Sequence, residues 1–149
     1  MTSRYHPDLA ARARWLPRGV ARRWNVPALK WLMRRAGAAA PTLGHEVALD
    51  GCSVFVHRPA TGAAGRRPAL LWIHGGGLLF GDARQDDPLL RRFVDELGLV
   101  VASAQYRFAP EHPFPTPLED CARALAWLSV QDDVDPSRIA VGGASAGGG

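Results

Sequence analysis

From His45 onward, apolar residues arrive in short blocks, and the spacing within the blocks changes along the chain. Val47 and Leu49 alternate with polar neighbours, Gly51 breaks the run, and Cys52 to Val56 resumes it. That period of two predicts an antiparallel strand pair with a tight turn. Pro68 to Ile73 and Leu99 to Ser103 are apolar without alternation, the pattern of strands covered on both faces. A third strand is expected over 138–143. Between these runs the period lengthens. A helix is predicted over about 86–97, with Asp86 or Asp87 as its cap and Pro88 in its first turn. Another is predicted over 118–129, with Leu118, Cys121, Ala122, Leu125 and Leu128 sharing one face. Residues 59–67, 108–117 and 132–137 read as loops. Two strands followed by β-α-β-α-β define an α/β fold with a mostly parallel central sheet flanked by helices. Its last strand would be an apolar edge, open to pairing with another chain. No internal repeat is visible.

Residues 8–36 carry a helical period interrupted by Pro17 and Pro27. Leu9, Ala13, Leu16, Val20 and Trp24 fall along one stripe. After Pro27, Ala28, Trp31 and Leu32 are expected to share a face, with Lys30, Arg34 and Arg35 turned outward. Trp15, Trp24 and Trp31 are a large apolar load, expected to cover a groove on the body rather than meet a bilayer. Gly37 to Gly44 reads as a small-residue linker. The expected division is a helical lid segment with its linker over 1–44 and a larger domain over 45–149.

Charge sharpens this division. Residues 1–36 hold nine basic side chains and one acid, whereas the remainder holds nine basic and thirteen acidic, although the whole chain is only +4. A basic arm on an acidic body implies docking onto that body, with membrane or nucleic-acid contact as the alternatives. Docking is expected. Cys52 and Cys121 show no metal-like spacing and are expected to be reduced, buried thiols. No apolar run reaches membrane-spanning length, and arginines interrupt any signal-like core near the N-terminus. A cytoplasmic location is expected.

Candidate chemistry lies in two glycine-rich stretches. The sequence Ile139-Ala-Val-Gly-Gly-Ala-Ser145-Ala-Gly147 reads as a buried strand running into G-x-S-x-G, the nucleophile elbow. A serine on so sharp a strand-to-helix turn needs neighbours without bulk two positions away on each side. The second stretch, His74-Gly-Gly-Gly77, closes the strand 68–73. Three glycines there free the backbone to aim its N–H groups at a ligand crevice, as acyl transfer requires when charge develops on a carbonyl oxygen. A phosphate cradle fits poorly: no Gly-Lys-Ser/Thr follows, and Phe80 stands where a dinucleotide fingerprint needs glycine. A plain flexible turn is the remaining alternative. Arg107 and Glu111, in the proline-rich loop, are expected to form an ion pair that fixes it. His6, His45 and His57 have no companion residues, and His112 reads as a surface histidine.

Taken together, His74-Gly-Gly-Gly77, Tyr106-Arg-Phe-Ala-Pro-Glu-His-Pro-Phe-Pro115 and Gly143-Ala-Ser-Ala-Gly147 resemble the hormone-sensitive-lipase-like (family IV) esterases of the α/β-hydrolase fold. The resemblance covers roughly residues 45–149. It implies that Ser145 is the acyl-forming nucleophile and that the N–H groups of Gly76, Gly77 and Ala146 form the oxyanion hole. It implies a supporting role for His74, not that of general base, and places the N-terminal helices in a lid over the acyl crevice. Gln105 and Ala144 depart from it, standing where aspartates are frequent.

The implied function is a serine carboxylic-ester hydrolase acting on a small-molecule ester, with no cofactor, metal or nucleic-acid partner. In this fold the acid and histidine follow the serine in chain order, and nothing after Ser145 supplies either, so the chain is expected to be the N-terminal portion of such an enzyme. Two alternatives stand beside it: an inactive fragment that binds an apolar ligand or a partner chain, and a membrane-surface protein using the basic, tryptophan-bearing arm.

Overall fold

The computed structural model describes residues 25–39, 44–60 and 65–149. Five strands, β1 (His45–Ala48), β2 (Ser53–His57), β3 (Arg67–Ile73), β4 (Val100–Gln105) and β5 (Val134–Gly143), form one sheet in the order β1-β2-β4-β3-β5. β1, β2 and β4 pair antiparallel, while β4, β3 and β5 run parallel. The parallel part is made by two crossovers, through α2 (Asp87–Leu97) and α3 (Thr116–Ser129).

The unbroken apolar runs of β3 and β4 follow from burial on two faces. Ala69 and Leu71 of β3, with Val100, Ala102 and Ala104 of β4, pack with Cys121, Ala124 and Leu128 of α3. The intervening residues Leu70 and Val101 turn to the other face and meet Leu90 and Val94 of α2. Each helix therefore seals one side of the sheet. Successive residues have nowhere polar to point.

Several expected boundaries move. β5 begins at Val134 rather than 138 and takes in Pro136. It tolerates the missing N–H because it is the last strand in the order, and the pairing shifts register between Arg67 and Ala69. Among the described residues β5 is the outermost strand of the sheet, and Val141 is 56% exposed. α3 starts two residues early, with Pro117 in its first turn, and its buried face is Pro117, Asp120, Cys121, Ala124 and Leu128. Leu118 instead stands 61% exposed. The face is rotated because Asp120 is drawn inside by Arg107 and Arg123, which hydrogen bond to it at 2.7 to 2.9 Å. In α2, Asp86 occupies the cap position without making a side-chain cap bond. Its carboxylate accepts a hydrogen bond from Trp72 Nε1 at 2.8 Å instead. Cys121 is buried and Cys52 half-buried, both free, and burial pushes the Cys121 thiol up to about 12.

The N-terminal segment departs further from the pattern. Helix α1 (Val26–Ala39) has Pro27 in its first turn but continues through Gly37 to Ala39, into the stretch expected to be linker. Its alanines favour helix over coil. Trp31 and Leu32 do not cover the body; Trp31 is 63% exposed and carries Arg35 over its ring at 5.5 Å. Lys30, expected outside, is the residue that reaches inward. Its ammonium donates to the Ala109 carbonyl at 2.8 Å and pairs with Glu111. An amine with three donors docks on a carbonyl-rich loop better than an indole does. The stripe from Leu9 to Trp24, with Trp15, lies outside the described residues.

Two histidines read as companionless have partners: His45 Nε2 lies 3.3 Å from Arg58 Nη1, and His57 meets a carboxylate. His57 is buried at the end of β2, with Nε2 3.2 Å from the Asp87 carboxylate. Burial pushes its pKa below the ordinary value, and the attraction of Asp87 offsets that only in part while Arg91 and His45 add to it. A lowered histidine pKa means that the unfolded chain binds the proton first as pH falls, so folding loses stability below about pH 6.5. The urea midpoint is expected to drop between pH 7.5 and 5.5, and His57→Gln to flatten that drop. An equal drop in the variant would place the acid sensitivity elsewhere.

Candidate active site

The nucleophile elbow is built by close packing at the carboxyl end of β5. Gly142 and Gly143 pair with Trp72 and Ile73 at the same end of β3. The chain then reverses: Ala144 N–H donates to the Ile73 carbonyl at 3.1 Å and Gly147 N–H to the Ala144 carbonyl at 2.9 Å. Ser145 opens a short 3₁₀ turn over Ser145–Gly148. Its φ of 52° is one of only two positive values at non-glycine positions among the described residues. Such a conformation is strained and persists only when its surroundings over-determine it. Here the surroundings are backbone. A Cβ on Gly143 would lie 2.2 Å from the Gly147 carbonyl oxygen, and one on Gly147 would lie 2.0 Å from that of Ile73. Both flanking glycines are therefore sterically required. The Ser145 side chain is left exposed.

The His74–Gly77 segment meets this turn. A Cβ built on Gly75 would fall 3.4 Å from Ser145 Cβ and 3.0 Å from the Ala144 carbonyl oxygen. Gly76 and Gly77 have φ of 133° and 66°, and Leu78, at 60°, is the other positive non-glycine residue. Residues 76–78 thus hold three consecutive left-handed conformations. Turn bonds from Leu79 and Phe80 N–H to the Gly76 carbonyl, at 3.1 and 3.3 Å, close the loop behind them.

His74 is fully buried and stacks on Tyr106 with ring centroids 4.4 Å apart. Its Nδ1 lies 2.8 Å from the Gly75 carbonyl oxygen. A carbonyl only accepts, so Nδ1 carries the proton and Nε2 is the bare nitrogen. Burial pushes the imidazole pKa down, which keeps the ring neutral. Tyr106 donates its hydroxyl to the His74 carbonyl at 2.8 Å, and burial raises the phenol well above its ordinary pKa, so that donor is permanent. These contacts hold the first residue of the glycine run from both its ring and its backbone.

Strand β4 grips the far end of the same loop. Ala83 N–H donates to Gln105 Oε1 at 2.8 Å, and the Ala83 carbonyl accepts from Ser103 Oγ at 2.7 Å. Gln105, standing where the resemblance leads one to expect aspartate, still supplies an acceptor. The expected Arg107–Glu111 pair is absent. Arg107 grips Asp120, and Glu111 pairs with Lys30. Sequence separation misled there: four residues in a proline-rich loop do not bring side chains together, whereas the buried Asp120 carboxylate offers Arg107 two oxygens and accepts its backbone N–H as well. No signal in the sequence marked Lys30, Ser103 or Asp120.

Among the described residues, no histidine or carboxylate hydrogen bonds to Ser145. His57 lies at the opposite end of β4, paired in register with Val101, and His112 is exposed. A cavity of about 850 Å³ lies beside the β1–β2 hairpin, with Lys30, Phe80, Gly81, Tyr106 and Phe108 in its wall; Ser145 is not in that wall. No helix among the described residues is long and apolar enough to cross a membrane.

This mixed sheet, with a strained serine turn packed against a glycine loop, defines an α/β hydrolase. The family profile described as the alpha/beta hydrolase fold matches residues 70–149, and the chain belongs to that family. It is similar to rabbit (Oryctolagus cuniculus) arylacetamide deacetylase, with 42% identity over 110 residues, 69% of this chain and 28% of that protein. It is also similar to carboxylesterase NlhH of Mycobacterium tuberculosis, with 42% identity over 84 residues, 54% of this chain and 26% of that one. Among solved structures, a bacterial heroin esterase superposes with a TM-score of 0.75 at 36% identity, covering 95% of this chain and 49% of that chain. An esterase of Pyrobaculum calidifontis gives 0.74 at 31% identity with the same coverages. The chain thus spans about half the length of these solved esterases and under a third of those curated relatives.

Proposed function

We propose that this chain carries the nucleophile and the oxyanion hole of a serine carboxylic-ester hydrolase. The observation that supports this best is Ser145 itself, exposed in a left-handed conformation and packed against Gly75. Ser145 Oγ attacks the ester carbonyl carbon and gives its proton to a general base. Negative charge moves to the carbonyl oxygen, where N–H groups of Gly76, Gly77 and Ala146 receive it. Collapse of that intermediate expels the alcohol with the proton and leaves an acyl-serine, which water then hydrolyses. The base is not among the described residues, so in this reading a further part of the fold supplies it together with the acid that orients it. Residues 1–44 then contribute a lid over the acyl site, and residues 45–149 the nucleophile-bearing part of the hydrolase domain. A small carboxylic ester fits the names of the relatives.

The test is fluorophosphonate labelling and turnover of a chromogenic short-chain ester, using residues 1–149 extended by their continuing reading frame. Both signals are expected to vanish in Ser145→Ala. Labelling that survives the substitution would sink the nucleophile assignment. Residues 1–149 alone are expected to label far more slowly, because a serine without a base is a weak nucleophile at neutral pH.

A further inference from the structure

Helix α1 reaches the proline-rich loop through Lys30, and that loop in turn reaches the glycine loop. Lys30 donates its ammonium to the Ala109 carbonyl at 2.8 Å, and the N–H of the same Ala109 donates to the Leu78 carbonyl at 3.0 Å. Leu78 directly follows Gly76 and Gly77 and shares their left-handed backbone, with φ of 60°. A bulky residue does not adopt that conformation without an outside hold. The Ala109 N–H reaches the Leu78 carbonyl from beyond the loop and supplies that hold. Lys30 is only 16% exposed at its side chain, so its amine is committed to this docking and not shared with solvent as most lysines are.

We propose that Lys30 is a positioning residue for the oxyanion hole. By holding the Ala109 carbonyl it restrains the residue whose N–H, one peptide plane earlier, holds Leu78, and so sets the direction of the Gly76 and Gly77 N–H groups. Docking of α1 and assembly of the oxyanion hole are then one event. The partner pair Lys30–Glu111 orients the amine, but Glu111 is mostly exposed and contributes little beyond that. The cavity of about 850 Å³ has Lys30, Phe80 and Gly81 in its wall, so its occupant would meet the near end of the relay. The role in turnover rests on the ester-hydrolase reading above; the mechanical coupling does not.

Two readouts separate these. In residues 1–149, Lys30→Met is expected to raise amide hydrogen exchange about tenfold in peptides covering 76–82 as well as in α1 and 108–112, the scale of one lost charge-assisted hydrogen bond. Glu111→Gln, which keeps the amine on Ala109, is expected to change 76–82 less than about threefold, as for an exposed pair. In the extended chain, Lys30→Met is expected to lower kcat about tenfold with KM nearly unchanged, a fraction of the loss seen when an oxyanion donor is removed outright. Lys30→Arg, still a donor to a carbonyl, is expected to restore most of it. Exchange that rises only in α1 and 108–112 would overturn the coupling. Unchanged kcat in a wild-type-active extended chain would overturn the positioning role, whereas absence of turnover in the wild type itself would count against the ester-hydrolase reading and leave the exchange result to decide the coupling.

Discussion

Gly143→Ala is expected to cost about 3 kcal/mol of folding stability, the upper range for forcing a methyl into a closed site, and to lower kcat in the extended chain about 100-fold. A Cβ at Gly143 would lie 2.2 Å from the Gly147 carbonyl oxygen and 2.5 Å from that of Ile73. Neither neighbour is free to move. The Ile73 carbonyl already accepts the Ala144 N–H at 3.1 Å, and it ends a strand held on both sides. Relief has to come from opening the turn itself, which relaxes Ser145 and swings its hydroxyl away from Gly75. A displacement of about 1 Å is enough for a loss of that size. The adjacent position is the control. A Cβ at Gly142 meets only Trp72 and Leu70 side-chain carbons at 3.5 and 3.6 Å, ordinary contact distances. Gly142→Ala is therefore expected to stay within about 0.5 kcal/mol of the parent. Urea midpoints of both variants, with single-turnover rates in the extended chain, decide it. Equal behaviour of the two alanines would mean that the turn is not sterically closed.

The difference between those glycines also marks how far the sequence was legible. Period and composition located each strand, because β3 and β4 are unbroken apolar runs that helices cover on both faces. They located the serine turn and the glycine loop, because glycine at fixed offsets reports a backbone constraint that is local in sequence. What stayed hidden is non-local. Lys30 and Ala109 are separated by 79 residues, and nothing in a helical pattern tells an outward lysine from one aimed at a carbonyl. Nothing in the sequence distinguishes Asp120 from a solvated helix position, yet Arg107 and Arg123 converge on it. Charge inside a helix face breaks the apolar stripe that sequence reading depends on, so the predicted face of α3 was rotated toward Leu118. The same limit applies to His57, whose carboxylate partner lies across a crossover.

Asp120→Ala is expected to be destabilising as well, by about 2 kcal/mol, because it removes a buried carboxylate that accepts charge-assisted hydrogen bonds while leaving two partly solvated arginines. Asp120 is 0% exposed, and its carboxylate accepts the Arg107 N–H at 2.9 Å, Arg107 Nε and Nη2 at 2.9 and 2.7 Å, and Arg123 Nη1 at 2.8 Å. Burial by itself would push this carboxyl up, but the Arg107 hydrogen bonds outweigh it and hold the group below its ordinary range. The sign for pH follows. A depressed carboxylate stabilises the fold fully above the unfolded value, near pH 4, and loses that contribution as pH falls through the folded one. Part of the acid unfolding limb below pH 4 is therefore expected to disappear in Asp120→Asn, which keeps an acceptor but cannot titrate and loses about half as much stability at pH 7. Arg107 opens the loop that carries Ala109, so releasing it also frees the peptide that bonds to Leu78. Both variants are expected to raise exchange in residues 76–82 before the sheet itself opens. Exchange confined to α3 and 107–115 would show that the loop keeps its grip on Leu78 without Arg107.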